Sequence, residues 1–205
     1  MAGGGTPMLA YRSISSPLGD LVLAATEQGL CRVAWSVSEA GFASELEAAS
    51  PRSGREPSPG ERVEPGALDA TDACSRTSLL QEAAHQLGEY FEGRRREFAL
   101  PLDLSCLRSF QRRVLTALLQ VPYGEVVTYG GLAVLAGHPG AARAVGGAMR
   151  GNPLPILIPC HRVLPSSGGL GGFGGRPDLK RYLLEMEGWG EVSASAAPRR
   201  KKPFA

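Results

Sequence analysis

Residues 128–153 read TYGGLAVLAGHPGAARAVGGAMRGNP. Thr128 is a good N-cap residue ahead of a short apolar run, and Gly137 suits the C-terminus of that run. His138-Pro139-Gly140 makes a tight turn, with Pro139 placed for the first turn of a second helix. The stretch therefore predicts helix, turn, helix. The second helix is built almost wholly of small residues, namely Ala141, Ala142, Ala144, Gly146, Gly147 and Ala148, with Arg143 and Met149 as its long side chains. Two mid-helix glycines cost roughly 1 kcal/mol each relative to alanine, so something must offset them. Close packing against another helix would do so. Close approach to a nucleic acid, with Arg143 as the projecting reach, would do so equally well.

Directly downstream comes PILIPCHRV, Pro155–Val163. Three aliphatic residues between two prolines run into Cys160, with His161 and Arg162 behind it. Free cysteine has a pKa of about 8.5, so a nucleophilic thiol needs a proton acceptor or a nearby cation. His161 is the candidate base. Adjacent residues in an extended segment point to opposite sides, so contact with Cys160 requires a bridging water or a turn at the cysteine. An orienting carboxylate would complete the set, and Glu187 in RYLLEMEG is the leading choice. A buried structural thiol is the ordinary fate of a free cysteine. The charged neighbours and the braced approach favour the nucleophile.

Upstream, YRSIS, DLVLAAT and LCRVAW read as three strands joined by turns at Pro17-Leu18-Gly19 and Glu27-Gln28-Gly29, an antiparallel meander. Residues 50–78 turn Pro, Gly, Ser and Glu rich and read as a disordered insert. SLLQEAAHQLGEYFEGR then has Leu79, Leu80, Ala83, Leu87, Tyr90 and Phe91 at helical spacing, with His85 read as a surface or boundary residue rather than a ligand. After an extended FALPLDL, the segment SFQRRVLTALLQVP predicts a helix with Ser109 as N-cap and Pro122 as stop. Its buried stripe is Phe110, Val114, Leu118 and Val121.

The 205 residues are 43% hydrophobic and 20% charged, a globular composition with no apolar run long enough to span a bilayer and no signal-peptide pattern. Four widely spaced cysteines fit reduced thiols rather than a disulfide framework. Net charge is +2, yet residues 1–105 carry 9 Lys/Arg against 15 Asp/Glu while residues 106–205 carry 13 against 5. Four of those cations form the tail RRKK, Arg199–Lys202; removing them leaves the second half basic. That half is the one expected to meet a polyanion.

AVGGAMRGNPLPILIPCHRV, Ala144–Val163, resembles the active-site segment of the O6-alkylguanine-DNA alkyltransferases, or methylated-DNA–protein-cysteine methyltransferases. SSPLGDLVLAATEQGL, VPYGEVVTYGGLA and KRYLLEMEG support the likeness, which covers about residues 8–48 and 79–190. The resemblance implies an α+β fold: a ribonuclease H-like α/β domain over 1–100 with the insert at 50–78, a mainly helical winged helix-turn-helix domain over 101–190, and a disordered basic tail at 191–205. It implies a DNA repair protein that irreversibly moves the alkyl group from O6-alkylguanine to its own cysteine.

Carried over by position, Cys160 is the acceptor, His161 the water-mediated base and Glu187 the group orienting the imidazole. Asn152 braces the network, and Tyr129 donates a proton to N3 of the leaving guanine. Arg143 fills the stack vacated by a flipped nucleotide, on a helix slim enough for the minor groove. Gln111, Tyr129, Gly130, His138 and Ser166 are expected at the DNA, and Val163, Phe173 and Gly174 around the base. Phe173 stands where tyrosine is common and Gly174 where some relatives carry serine. Gly131 replaces a Glu that would complete a capping box.

Thr26 and Cys31 occupy two of the positions at which some members hold zinc, and the rest do not match. No metal and no cofactor are expected. The partner is duplex DNA bearing the lesion, with no membrane, for a monomer. The basic tail and a eukaryote-like active-site stretch point to the nucleus; a bacterial source would make it the cytoplasm. A non-catalytic lesion-binding protein would lack Cys160, and a cysteine hydrolase would need an acyl pocket for which nothing here argues.

Overall fold

The computed structural model describes residues 10–35 and 70–189, and side chains from 75 onward in the second stretch. These fall into two compact units, the first formed by 10–35, 70–89 and 99–106, the second by 90–98 and 107–189. The chain thus passes into the second unit at Tyr90, back at Ala99, and out again at Leu107.

In the first unit, strands β1 (Ala10–Ile14), β2 (Leu21–Ala25) and β3 (Leu30–Trp35) pair antiparallel in sequence order. Ile14 faces Leu21, and Leu21 faces Trp35 across the next ladder. The central strand LVLAA is buried on both faces, which is why it lacks the polar alternation of a one-sided strand. Edge strand β1 keeps Tyr11, Arg12 and Ser13 in solvent.

The β2–β3 turn depends on Gly29. Thr26 donates its N–H to the Gly29 carbonyl at 2.9 Å, and its hydroxyl to Asp103 at 2.7 Å. Leu30 then exchanges backbone bonds with Pro101 and Asp103, each at 2.8 Å. Gly29 sits at φ +151°, and a Cβ there would lie 2.6 Å from the Pro101 carbonyl oxygen.

Helix α1 spans Ala70–Phe91 and buries Leu80, Ala83, Leu87 and Tyr90. It begins within the segment expected to be disordered, so residues 70–78 are helical and that expectation is corrected. No Gly or Pro occurs between Ala67 and Leu87, so nothing in the backbone opposes the earlier start. Arg76 is held there, buried, 3.4 Å from Glu27. The remainder of the expected insert, 50–69, and the tail lie outside the described residues.

The second unit is mainly helical. Helix α2 (Ser109–Leu118) buries Val114, Leu115 and Leu118, while Phe110 is half-buried with its ring 5.1 Å from that of His138. Ser109 is not the N-cap. Arg108 takes that position in extended conformation, and no side chain caps the helix, because Ser109 is already within the first turn.

Thr128 does cap helix α3 (Tyr129–Leu135), its hydroxyl accepting the Gly131 N–H at 3.0 Å. The turn follows, and helix α4 runs Ala142–Arg150. Pro139 lies outside α4, since Gly140 at φ +86° breaks the right-handed path and delays the helix start. A short parallel pair, β4 (Val127–Thr128) with β5 (Val163–Leu164), ties the start of α3 to the segment after the cysteine. Helix α5 spans Pro177–Met186, with Pro177 in its first turn.

Gly29→Ala should lower stability by about 1–3 kcal/mol, the usual cost of a strained backbone position. Urea unfolding checks this, and a neutral result would contradict the role of the turn.

Candidate active site

Every residue from Pro153 to Leu164 is buried, so the thiol sits on a segment with no freedom to swing. Pro159 ends the apolar approach, and Cys160–Arg162 form one 3-10 turn. The chain therefore turns at the cysteine rather than running extended through it. Asn152 braces the approach, donating Nδ2–H to the Ile158 carbonyl at 2.9 Å and accepting the Leu154 N–H at 3.1 Å. Inside this brace Ile156 is at φ +73°, a conformation costing a β-branched residue about 1–3 kcal/mol.

Behind the turn lies Glu187, directly after α5, with its side chain fully buried. Its Oε1 accepts from Tyr90 Oη at 2.7 Å, Arg162 Nη2 at 2.8 Å and His161 Nε2 at 3.0 Å. Its Oε2 accepts from Arg162 Nε at 2.9 Å and the Gly124 N–H at 3.2 Å. Gly124 permits this close approach, since a Cβ at its φ of +76° would fall 2.8 Å from the Glu187 carbonyl oxygen. Arg162 completes its own bonding with the Val121 carbonyl at 2.7 Å. Burial pushes the Glu187 carboxyl up, but the hydrogen bonds from His161 and Arg162 outweigh it and hold the group below the usual carboxylate range.

That charge fixes the histidine. An ionised carboxylate only accepts, so His161 Nε2 carries the proton and Nδ1 is left with its lone pair. Burial keeps His161 below its ordinary value, and hence neutral, against the pull of Glu187. Nδ1 is buried and has no hydrogen-bond partner among the described residues.

Cys160 is 8% exposed. Burial raises its thiol, while the Asn152 amide and the charge of Lys180 act in the opposite direction. Tyr129 is held protonated, above its ordinary value, by burial and then by Cys160; Arg150 opposes this. Cys160 is thus electrostatically coupled to both Asn152 and Tyr129, and His161, next to it in the chain, is bonded to Glu187.

The remaining expected residues lie around this centre. Arg143, Ala144 and Gly147 form an exposed face of α4, and no atom lies within 4 Å of where a Gly147 Cβ would be. Close packing within the described residues therefore does not account for Gly147. Gly130 and Ser166 are exposed, and His138 is half-buried beside Phe110. Gln111 donates its amide to the Gly151 carbonyl at 2.7 Å. Val163 is fully buried, Phe173 half-buried, and Gly174 lies exposed at φ +56° in the glycine-rich loop.

Two participants were missed by reading the sequence. Tyr90 belongs to a distant helix and carried no local signal. Lys180 did carry one: it shares the spacing of Leu183, Leu184 and Glu187 along the buried face of α5, a cation on an apolar stripe. Among the described residues no group of three or more His, Cys, Asp or Glu side chains could hold a metal ion.

Residues 9–104 match the family model of the 6-O-methylguanine DNA methyltransferase ribonuclease-like domain, and residues 109–189 match that of its DNA binding domain. The chain is 40% identical over 186 residues to the methylated-DNA–protein-cysteine methyltransferase of Mycolicibacterium paratuberculosis, covering 88% of this chain and 93% of that one. It is 42% identical over 180 residues to the protein of that name from Homo sapiens, covering 86% and 79%. The crystal structure of Mycobacterium tuberculosis OGT in complex with DNA superposes with a TM-score of 0.63 at 38% identity, covering 92% and 95%.

Both depressed groups predict acid sensitivity. The unfolded chain protonates its histidine near 6.5 and its glutamate near 4.5, whereas the folded site resists both. Stability is therefore retained at higher pH and lost as pH falls below about 6.5, more steeply below 4.5. Thermal melts from pH 8 to pH 4 test this, and a flat profile would contradict it. Arg162→Ala, which leaves Glu187 short of its main cation, should cost about 3–5 kcal/mol in urea unfolding. Sequence, fold and site agree that the chain belongs to the O6-alkylguanine-DNA alkyltransferase, or methylated-DNA–protein-cysteine methyltransferase, family.

Proposed function

We propose that Cys160 is the alkyl acceptor in the repair reaction of this family. The observation that carries the reading is His161. Glu187 fixes its tautomer and leaves a buried acceptor, Nδ1, one residue from the sulfur. A single water between Nδ1 and Sγ would let the imidazole take the thiol proton. The thiolate then attacks the alkyl carbon on O6, the S–C bond forms, and the C–O6 electron pair returns to the guanine. Tyr129, held protonated, supplies a proton to N3 of the departing base. Nothing cleaves the thioether, so each chain acts once.

A lesion within duplex DNA must leave the stack to reach a buried thiol, at a cost of a few kcal/mol. The exposed small-residue face of α4 suits a minor groove, and Arg143 on that face suits the gap left by the flipped nucleotide. Gly130, His138, Ser166 and Gln111 flank this face as backbone contacts. Val163, Phe173 and Gly174 bound the base, with duplex DNA as the partner of a monomer. No described helix is long and apolar enough to cross a membrane. The mycobacterial relatives favour the cytoplasm, and the nuclear expectation rests only on a tail outside the described residues and on a stretch of a family that has bacterial as well as human members.

Incubation with a duplex carrying labelled O6-methylguanine should transfer at most one methyl per chain, to Cys160 by mass spectrometry. Cys160→Ala should bind DNA and accept none. Repeated turnover, or label elsewhere, would overturn the assignment. Arg143→Ala should slow repair of duplex by at least about tenfold, the rate equivalent of losing part of the flipping energy. Its reaction with free O6-benzylguanine should be nearly unchanged; equal losses on both substrates would remove the stacking role.

A further inference from the structure

Lys180 breaks the rule that buried charges are paired. It is 0% exposed, and its Nζ donates to a single neutral acceptor, the Val163 carbonyl, at 2.6 Å. No carboxylate forms an ion pair with it among the described residues. The other charged groups near the thiol are already engaged. Arg162 and Glu187 neutralise each other through two hydrogen bonds, and His161 on the same turn is neutral. Arg150, at the end of α4, is exposed and acts on Tyr129, whose own hydroxyl remains protonated. Asn152 contributes a dipole but no charge.

An isolated buried ammonium is costly unless an anion answers it. Among the described residues, Cys160 is the group whose negative charge acts on Lys180. Val163 is three residues from Cys160, across the 3-10 turn, so the lysine is tied to the backbone that carries the sulfur.

We propose that Lys180 is a positioning residue that supplies the counter-charge to the Cys160 thiolate, so that proton removal by His161 creates a buried ion pair rather than a lone buried anion. This rests on Cys160 being the acceptor. The lysine makes no bond to the substrate; it sets how much thiolate is present when the lesion arrives. The alkyl transfer itself then erases the sulfur's charge and leaves the ammonium with Val163 alone. Burial lowers Lys180 to about 8, and Cys160 acts to raise it, so each group's proton affinity depends on the other.

Such coupling is reciprocal: what Lys180 does to Cys160, Cys160 must do to Lys180. The test measures both directions. Iodoacetamide, which needs the thiolate and no DNA, gives the pH profile of Cys160 in wild type, Lys180→Met and Lys180→Arg, each checked for folding by circular dichroism. The expected result is a Lys180→Met profile moved to higher pH, with reaction at pH 7 slower by about tenfold or more, and Lys180→Arg closer to wild type. A Lys180→Met profile superimposable on wild type, or equal shifts in both variants, would overturn the proposal.

Should Lys180→Met fail to fold, NMR titration of the lysine side chain in wild type before and after carbamidomethylation of Cys160 decides. A lower Lys180 midpoint after capping supports the proposal, and no change overturns it. Failure of methyl transfer from O6-methylguanine with this coupling intact would sink the repair reading while leaving the ion pair standing.

Discussion

One buried carboxylate organises the second unit. Glu187 receives hydrogen bonds from Tyr90, Arg162, His161 and the Gly124 backbone, four points lying up to 97 residues away from it in sequence. A charge in that position is tolerable only because every donor arrives with it. The turn at Gly124, the 3-10 turn after Pro159 and the end of α5 are therefore mutually dependent. Loss of any one leaves an unanswered charge in the interior.

The same carboxylate passes its influence to the sulfur without touching it. By claiming His161 Nε2–H it leaves the basic nitrogen free, and by absorbing Arg162 it removes that cation from the thiol's surroundings. The guanidinium beside the cysteine in PCHRV thus serves the carboxylate rather than the thiol. The cation left to act on Cys160 is Lys180, held on the Val163 carbonyl. Burial raises the thiol, and the Asn152 amide and the Lys180 charge pull it back down.

The helix-turn-helix puts its constraint on shape. An exposed glycine in mid-helix costs about 1 kcal/mol against alanine, and at Gly147 no packing contact recovers it. Gly146 is different, because a Cβ there would meet the Tyr129 ring at 4.0 Å. That is ordinary van der Waals contact, so a methyl would fit at either glycine, and Gly147 keeps an exposed surface slim.

Much of this was legible in the order of residues. Three short β-prone runs and the turn residues between them marked the three-strand meander, Thr128 announced its cap, and PCHRV with its flanks identified the family. Arg108 in place of Ser109 as the cap and Gly140 displacing Pro139 were errors of one to three residues, set by backbone angles that residue type leaves open. The start of α1 was hidden because a Pro- and Gly-rich stretch runs into an alanine-containing one with no boundary signal. Sequence alone determined which chemistry the chain carries, since a thiol, an imidazole and a carboxylate in this motif have few other uses. Only the tertiary structure decided which groups meet: Tyr90 on Glu187, Arg162 on Glu187, and Lys180 on the Val163 carbonyl. Those pairings follow from how helices converge on a buried point, a property of three-dimensional packing to which spacing along the chain is nearly blind.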